Sequence, residues 1–254
     1  MTTENAPAVP ASRLLLPALA ALGAANVLNN RLARRLAPLT STVTAGALVL
    51  LARRSGLSWK EIGFADADRG ARAGGALAGA VAAVYTGGVL LPATRRFFRD
   101  ERALGLSRAR LLEEVLVQVP LGTVLLEEVA FRGVLPAALR RSYGPAAAVP
   151  GSAALFGLWH VLPSLDMARA NPALSDLAGA APALGDLAGG EDRTAAAGVV
   201  RVVVGSVVFT GVAGVFFSWL RGRGGLLAPS LLHLATNSFG YLAARAARRL
   251  DRGR

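Results

Sequence analysis

The chain has 254 residues, 53% of them hydrophobic, and a mean hydropathy of +0.46, which is too apolar, and too continuously so, for an ordinary soluble domain of this size. Its formal net charge of +12 comes from arginines placed between and beyond the apolar runs, a distribution that suits anionic lipid headgroups and argues against nucleic acid as a partner. There is no cysteine, so thiolate catalysis, a Cys-based zinc site and disulfides are excluded.

The tail from Met1 to Ser12 is polar, and it lacks a basic stretch ahead of a cleavage site, so it does not read as a removable signal peptide. Apolar runs follow at about 14–28, closed by Asn29, Asn30 and the basic cluster Arg31, Arg34 and Arg35, and at about 36–52, closed by Arg53 and Arg54. The segment GLSWKEIG (56–63) reads as a short interfacial helix anchored by Trp59. A Gly/Ala-rich run at about 74–91 stops at Pro92, and residues 97–110 alternate apolar and basic positions in the manner of a surface-lying helix. The fourth run, about 111–139, is long and contains Pro136; the fifth, about 146–162, ends in FGLWHVLP. Between 163 and 197 hydrophobicity falls away into an Ala/Gly/Pro segment carrying the near-duplicates PALSDLAG and PALGDLAG, which reads as an exposed loop. The sixth run, about 198–220, and the seventh, about 226–243, precede a basic tail from Arg245 to Arg254. The expectation is one all-α integral membrane domain over 1–254, a polytopic helical bundle of about seven or eight spans with a motif-bearing core at 111–243. The arginine bias between alternate loops favours a cytoplasmic C-terminus.

The fourth run places Glu127, Glu128 and Arg132 inside VLLEEVAFRGVL. One ionised side chain at the centre of a bilayer costs at least about 2.5–3.5 kcal/mol, so three within six residues need a reason. On an α-helix Glu128 and Arg132 share a face, with the acid on the N-terminal side, the favourable order for an ion pair. Glu127 is turned away from Glu128 by ~100° and keeps an uncommitted carboxylate. The chain's two histidines lie near the ends of apolar runs, His160 four residues after Phe156 and His233 four residues before Asn237. A lone buried histidine is most simply a core residue hydrogen-bonded to a carbonyl. Both histidines together with Glu127 and Asn237, on separate helices, suggest instead polar groups that find one another inside a bundle. A carboxylate, two imidazoles and an amide in a dry cavity can hold and activate a water molecule.

The motifs EExxxR (127–132), FxxxH (156–160) and HxxxN (233–237), in this order on separate helices, resemble the CPBP family of CAAX-processing endopeptidases and Abi-type relatives. The resemblance implies a membrane-embedded peptidase in which Glu127 is the general base, His160 and His233 complete the catalytic set, and Asn237 supports the oxyanion. It makes Glu128, Arg132 and Phe156 structural supports. Family members are often named metalloproteases, and Glu127, His160 and His233 would be the ligands if zinc were bound. That set would consume the free base, and HExxH is absent, so no cofactor is favoured. The expected partners are membrane lipids and a peptide or membrane-protein substrate, and the expected location is the bacterial cell membrane. The rival readings are a proton-coupled small-solute transporter and a non-catalytic scaffold or immunity factor of the same fold.

Overall fold

Apolar runs buried in lipid must satisfy their own backbone groups, and helices do this within one segment. The computed structural model describes residues 12–170 and 191–252, and among them there is no strand. Helix α1 is Ser12–Val27, extended by a π-helical turn Leu28–Leu32; α2 is Ala37–Arg54 and α3 is Ala67–Leu90. Helix α4, residues 108–143, is unbroken but changes winding along its length. It is α-helical over Arg108–Glu113, π-helical over Glu114–Val124, α-helical for the single turn Leu125–Glu128, π-helical over Val129–Val134, and α-helical again over Leu135–Tyr143. Gly144, at φ +85°, ends it where a side chain would be strained, and Pro145 starts the next helix. Helix α5 is Pro145–Trp159, α6 Val161–Ala170, α7 Glu191–Gly224 and α8 Leu227–Arg252.

Four helical stretches are long and apolar enough to cross a membrane: Arg34–Arg54, Ala67–Leu90, Pro145–Ala170 and Ala196–Gly224. Length and composition single out these four among the described residues and do not by themselves confirm the expected count of seven or eight. The reason is chemical: α4 carries the motif charges, α8 ends in arginines, and α1 has only 16 residues. Helix α7 turns Val200, Val204, Val208 and Val212 outward, as a lipid-facing helix does.

Helix α4 occupies the centre. Residues Leu126 to Leu135 are all buried, apolar on every side except at the motif, so this stretch is enclosed by other helices rather than resting one stripe on them. Its surroundings close in through small residues and hydroxyls. Ser41 on α2 donates to the Gly122 carbonyl at 2.6 Å, and Ser152 on α5 donates to the Phe131 carbonyl at 2.6 Å. Helices α3 and α8 run parallel, with Gly70 and Gly74 against Ala228 at one end, where Gly70 also meets Gly224 at the end of α7, and Val89 against Ala243 and Ala247 at the other. A Cβ on Gly70 would lie 2.2 Å from the Gly224 carbonyl oxygen, so glycine is required for this approach.

Several local expectations need correction. Residues 56–63 form turns, not a helix: the Ser58 amide and hydroxyl both donate to the Glu61 carboxylate at 2.7 Å, which closes the chain on itself. The expected surface helix at 97–110 is broken into a 3₁₀ turn, Arg96–Phe98, and one short helix, Glu101–Leu104, which Asp100 caps and Gly105 ends. The expected loop 163–197 is helical at both ends, since α6 reaches Ala170 and α7 begins at Glu191; the duplicated segments at 172–189 lie outside the described residues. Hydropathy falls in those stretches but helix propensity does not, because Ala, Leu, Met and Arg are strong helix formers. For the same reason α8 continues through the basic tail to Arg252, and α3 begins seven residues before its apolar run.

Candidate active site

The single α-helical turn Leu125–Glu128, set between two π-helical segments, presents both motif glutamates. Pro120 lies in the first π segment and has no amide hydrogen to give to an α-helical ladder. Glu127 and Glu128 are 5% and 1% exposed, Arg132 1% and His233 6%, so four ionisable groups share a site with almost no water contact.

Glu127 is half committed. Its Oε1 accepts a hydrogen bond from the indole N–H of Trp159 at 2.9 Å, while its Oε2 has no hydrogen-bond partner and stands 3.7 Å from Nε2 of His233. The other nitrogen of His233, Nδ1, lies 2.8 Å from Oε1 of Glu128. An ionised carboxylate only accepts, so Nδ1 carries the hydrogen, and Nε2 is the atom presented to Glu127. Glu128 is therefore not simply the partner of Arg132. The Arg132 guanidinium is 3.5 Å from the same Oε1, and its nitrogens make no hydrogen bond. The guanidinium lies instead over the rings of Phe156, at 3.8 Å, and Phe217, at 4.8 Å, so ring faces take the place of hydrogen-bond acceptors. The i,i+4 geometry expected of an α-helix is altered because residues 129–134 are wound as a π-helix, which leaves the ion pair long.

Phe156 is the junction of the site. Its ring touches Arg132 and makes edge-on contacts with the rings of His160 and His233, with centroids 4.6 and 6.5 Å away. His160 caps α5, and its Nδ1 is 2.8 Å from the Phe156 carbonyl, which can only accept; Nε2 is left as the free nitrogen. Glu127, Trp159, His160, Thr236 and Asn237 line one cavity of about 600 Å³, whose outer wall carries Arg34, Asp100, Arg102, Glu114, Asp166 and Tyr241. Three of the four expected site residues, Glu127, His160 and Asn237, line this cavity; His233 does not line it and approaches Glu127 from within the core, at 3.7 Å. Among the described residues no three His, Asp or Glu side chains are grouped so as to hold a metal ion. Glu127, His160 and His233 are not drawn together into a coordination sphere.

Three participants were not read from the sequence. Trp159 stands immediately before His160, and a buried indole N–H needs an acceptor, which is the signal that would have found it. Phe217, in a run of aromatics on α7, carried none. The clamp of Asp166 by Arg31 and Arg34, both at 2.9 Å, fixes α6 beside the cavity; the low hydropathy of residues 163–197 conceals it in the sequence.

The chain is thus a helical membrane protein in which a buried series of guanidinium, carboxylate, imidazole and carboxylate ends at a cavity through Glu127. Residues 114–239, just under half of the chain, match the family described as Type II CAAX prenyl endopeptidase Rce1-like, a match consistent with the CPBP resemblance of the three motifs. No curated protein and no solved structure matches the chain.

Proposed function

We propose that the protein is an intramembrane endopeptidase that hydrolyses a peptide bond with water activated by Glu127. The observation that carries this reading is the 3.7 Å gap between the unpartnered Oε2 of Glu127 and Nε2 of His233, at the edge of a cavity large enough for an extended peptide segment. Two acceptors facing across such a gap are satisfied by a shared hydrogen, and a water molecule supplies one. Glu127 takes a proton from that water as its oxygen attacks the scissile carbonyl carbon. The amide N–H of Asn237, and His160 or His233 when protonated, donate to the oxyanion that forms. Collapse breaks the C–N bond, and the proton held by Glu127 passes to the leaving amine. Trp159 holds the carboxylate in place, and Glu128 keeps Nδ1 of His233 protonated so that Nε2 faces the reaction. The substrate is a peptide or a segment of a membrane protein, entering past Arg34, Asp100 and Arg102.

The test is cleavage of a peptide library, and of membrane-anchored peptides, by the full chain in detergent or liposomes. Glu127→Gln is expected to lower kcat/KM by on the order of 10²–10⁴, the range of a lost general base, with folded yield unchanged. Activity is expected to survive prolonged treatment with a zinc chelator. Cleavage by Glu127→Gln at the wild-type rate would refute the role of Glu127. Loss on chelation with recovery on adding zinc would transfer Glu127, His160 and His233 to a metal site.

A further inference from the structure

We propose that the groove between α3 and α8 is a binding site for one anionic phospholipid, an acyl chain lying in the groove and the phosphate held by the arginines at its end. The groove has a volume of about 370 Å³ and lies on the far side of α8 from the catalytic cavity's outer wall. Its walls are two helical stripes, Ala82, Tyr85 and Val89 on α3 and Leu242, Ala246 and Leu250 on α8, and its lining is almost wholly apolar. Because α3 and α8 run parallel, both stripes finish at the same level, and there Arg249 joins the lining. The groove thus offers hydrocarbon along its length and a cation at one end, the division found in a phospholipid.

The cation is not isolated. Arg245, one turn before Arg249, has its Nε and Nη2 atoms buried without a hydrogen-bond partner. The charged groups within its electrostatic reach are Arg248, Arg249 and Arg108, all of one sign, and partial burial together with these neighbours disfavours its charge. The nearby acid Asp251 is already held by Arg95 and Arg99, at 3.2 and 2.6 Å. Helix-dipole compensation accounts for cations in the last turn of α8, but it falls off within that turn and does not reach Arg245. Arg249 at the groove's end, and Arg245 with buried unpartnered nitrogens and only arginines among these neighbours, call for an anion, whereas Arg248 already donates to the Leu104 carbonyl at 3.0 Å. A phosphate diester carrying its own hydrocarbon chain fits both the cluster and the groove beside it; free phosphate fits only the cluster.

The experiment is titration of the delipidated full chain in neutral detergent with phosphatidylglycerol, phosphatidylcholine or inorganic phosphate, with bound lipid read by native mass spectrometry and stability by thermal melting. Wild-type protein is expected to bind one phosphatidylglycerol, to rise in Tm on binding, and to ignore phosphatidylcholine. Arg245→Gln/Arg249→Gln should bind phosphatidylglycerol on the order of thirtyfold more weakly, the effect of about two lost basic contacts near a lipid surface. Ala246→Trp, which fills the groove and leaves every arginine in place, should abolish binding of the same lipid; this variant decides the matter if the double variant folds poorly. Equal binding of both lipids, unchanged affinity in both variants, or displacement of phosphatidylglycerol by millimolar inorganic phosphate would overturn the proposal, the last by reducing the site to an anion site.

Discussion

Arg132 shows why a buried charge is easier to keep than to remove. Its guanidinium makes no hydrogen bond, yet it offsets Glu128, which in turn holds His233. Arg132→Ala would leave a buried carboxylate with one partner, a loss of about 3–5 kcal/mol for breaking such a pair, so folded yield in detergent should fall together with activity. Glu127→Gln should spare that yield. Equal yields for the two variants would contradict the separate roles. Trp159→Phe tests the anchor on the other side: the ring is nearly preserved, the hydrogen bond to Glu127 Oε1 is not, and kcat should drop at least tenfold with Tm shifted only modestly. An unchanged kcat would make Trp159 mere packing. At this scale Glu127, His160, His233 and Asn237 were legible because polar residues are rare in apolar runs. The pairing of Glu128 with Arg132 was legible from spacing, but its second partner was not, since nothing in EExxxR reveals that His233, 105 residues later, lies 2.8 Å away.

Helix α3 is held against the end of α7 and the start of α8 by what Gly70 lacks. A β-carbon there would meet Gly224 backbone at 2.2 Å, and backbone cannot turn aside as a side chain can. Gly70→Val should therefore cost more than the 1–3 kcal/mol typical of overpacking and abolish folded yield, whereas Gly75→Val, where nothing lies within 4 Å, should be tolerated. Equal yields would show that the helices can separate. The other end of the pair depends on pH. Asp251 is held below the usual aspartate range, first by its hydrogen bond from Arg99 and then by Arg95. A carboxylate depressed on folding stabilises above its unfolded pKa and loses that contribution as pH falls through its folded value. Hydrogen-exchange protection of residues 244–252 should thus decline on acidification below the ordinary aspartate range, and Asp251→Asn should show the lower protection at every pH. A pH-independent wild type would refute the clamp. Helix existence was legible for every long apolar run. Helix ends were not, because hydropathy reports burial in lipid while α6 and the last turns of α8 are kept helical by propensity and by ion pairs to distant arginines.

Across the whole molecule, the all-helical membrane class followed from composition alone, while the span count did not, because a central helix enclosed by others can carry charges that a lipid-facing helix cannot. Helix α4 is that exception, and its winding sets a constraint of timing. A π-helical turn takes in more residues than an α-helical one, so the two wide segments, Glu114–Val124 and Val129–Val134, fix the phase at which the intervening turn meets the cavity. Removing one residue from the first wide segment would allow it to rewind as α-helix, and everything beyond would rotate by ~100° relative to everything before it. Deletion of Val117 should consequently silence the protein with helix content by circular dichroism unchanged, the glutamates still present but out of step with His233. The spacing between Gln118 and Glu127 is in this sense a setting of the instrument, as much a part of the site as the side chains it aims.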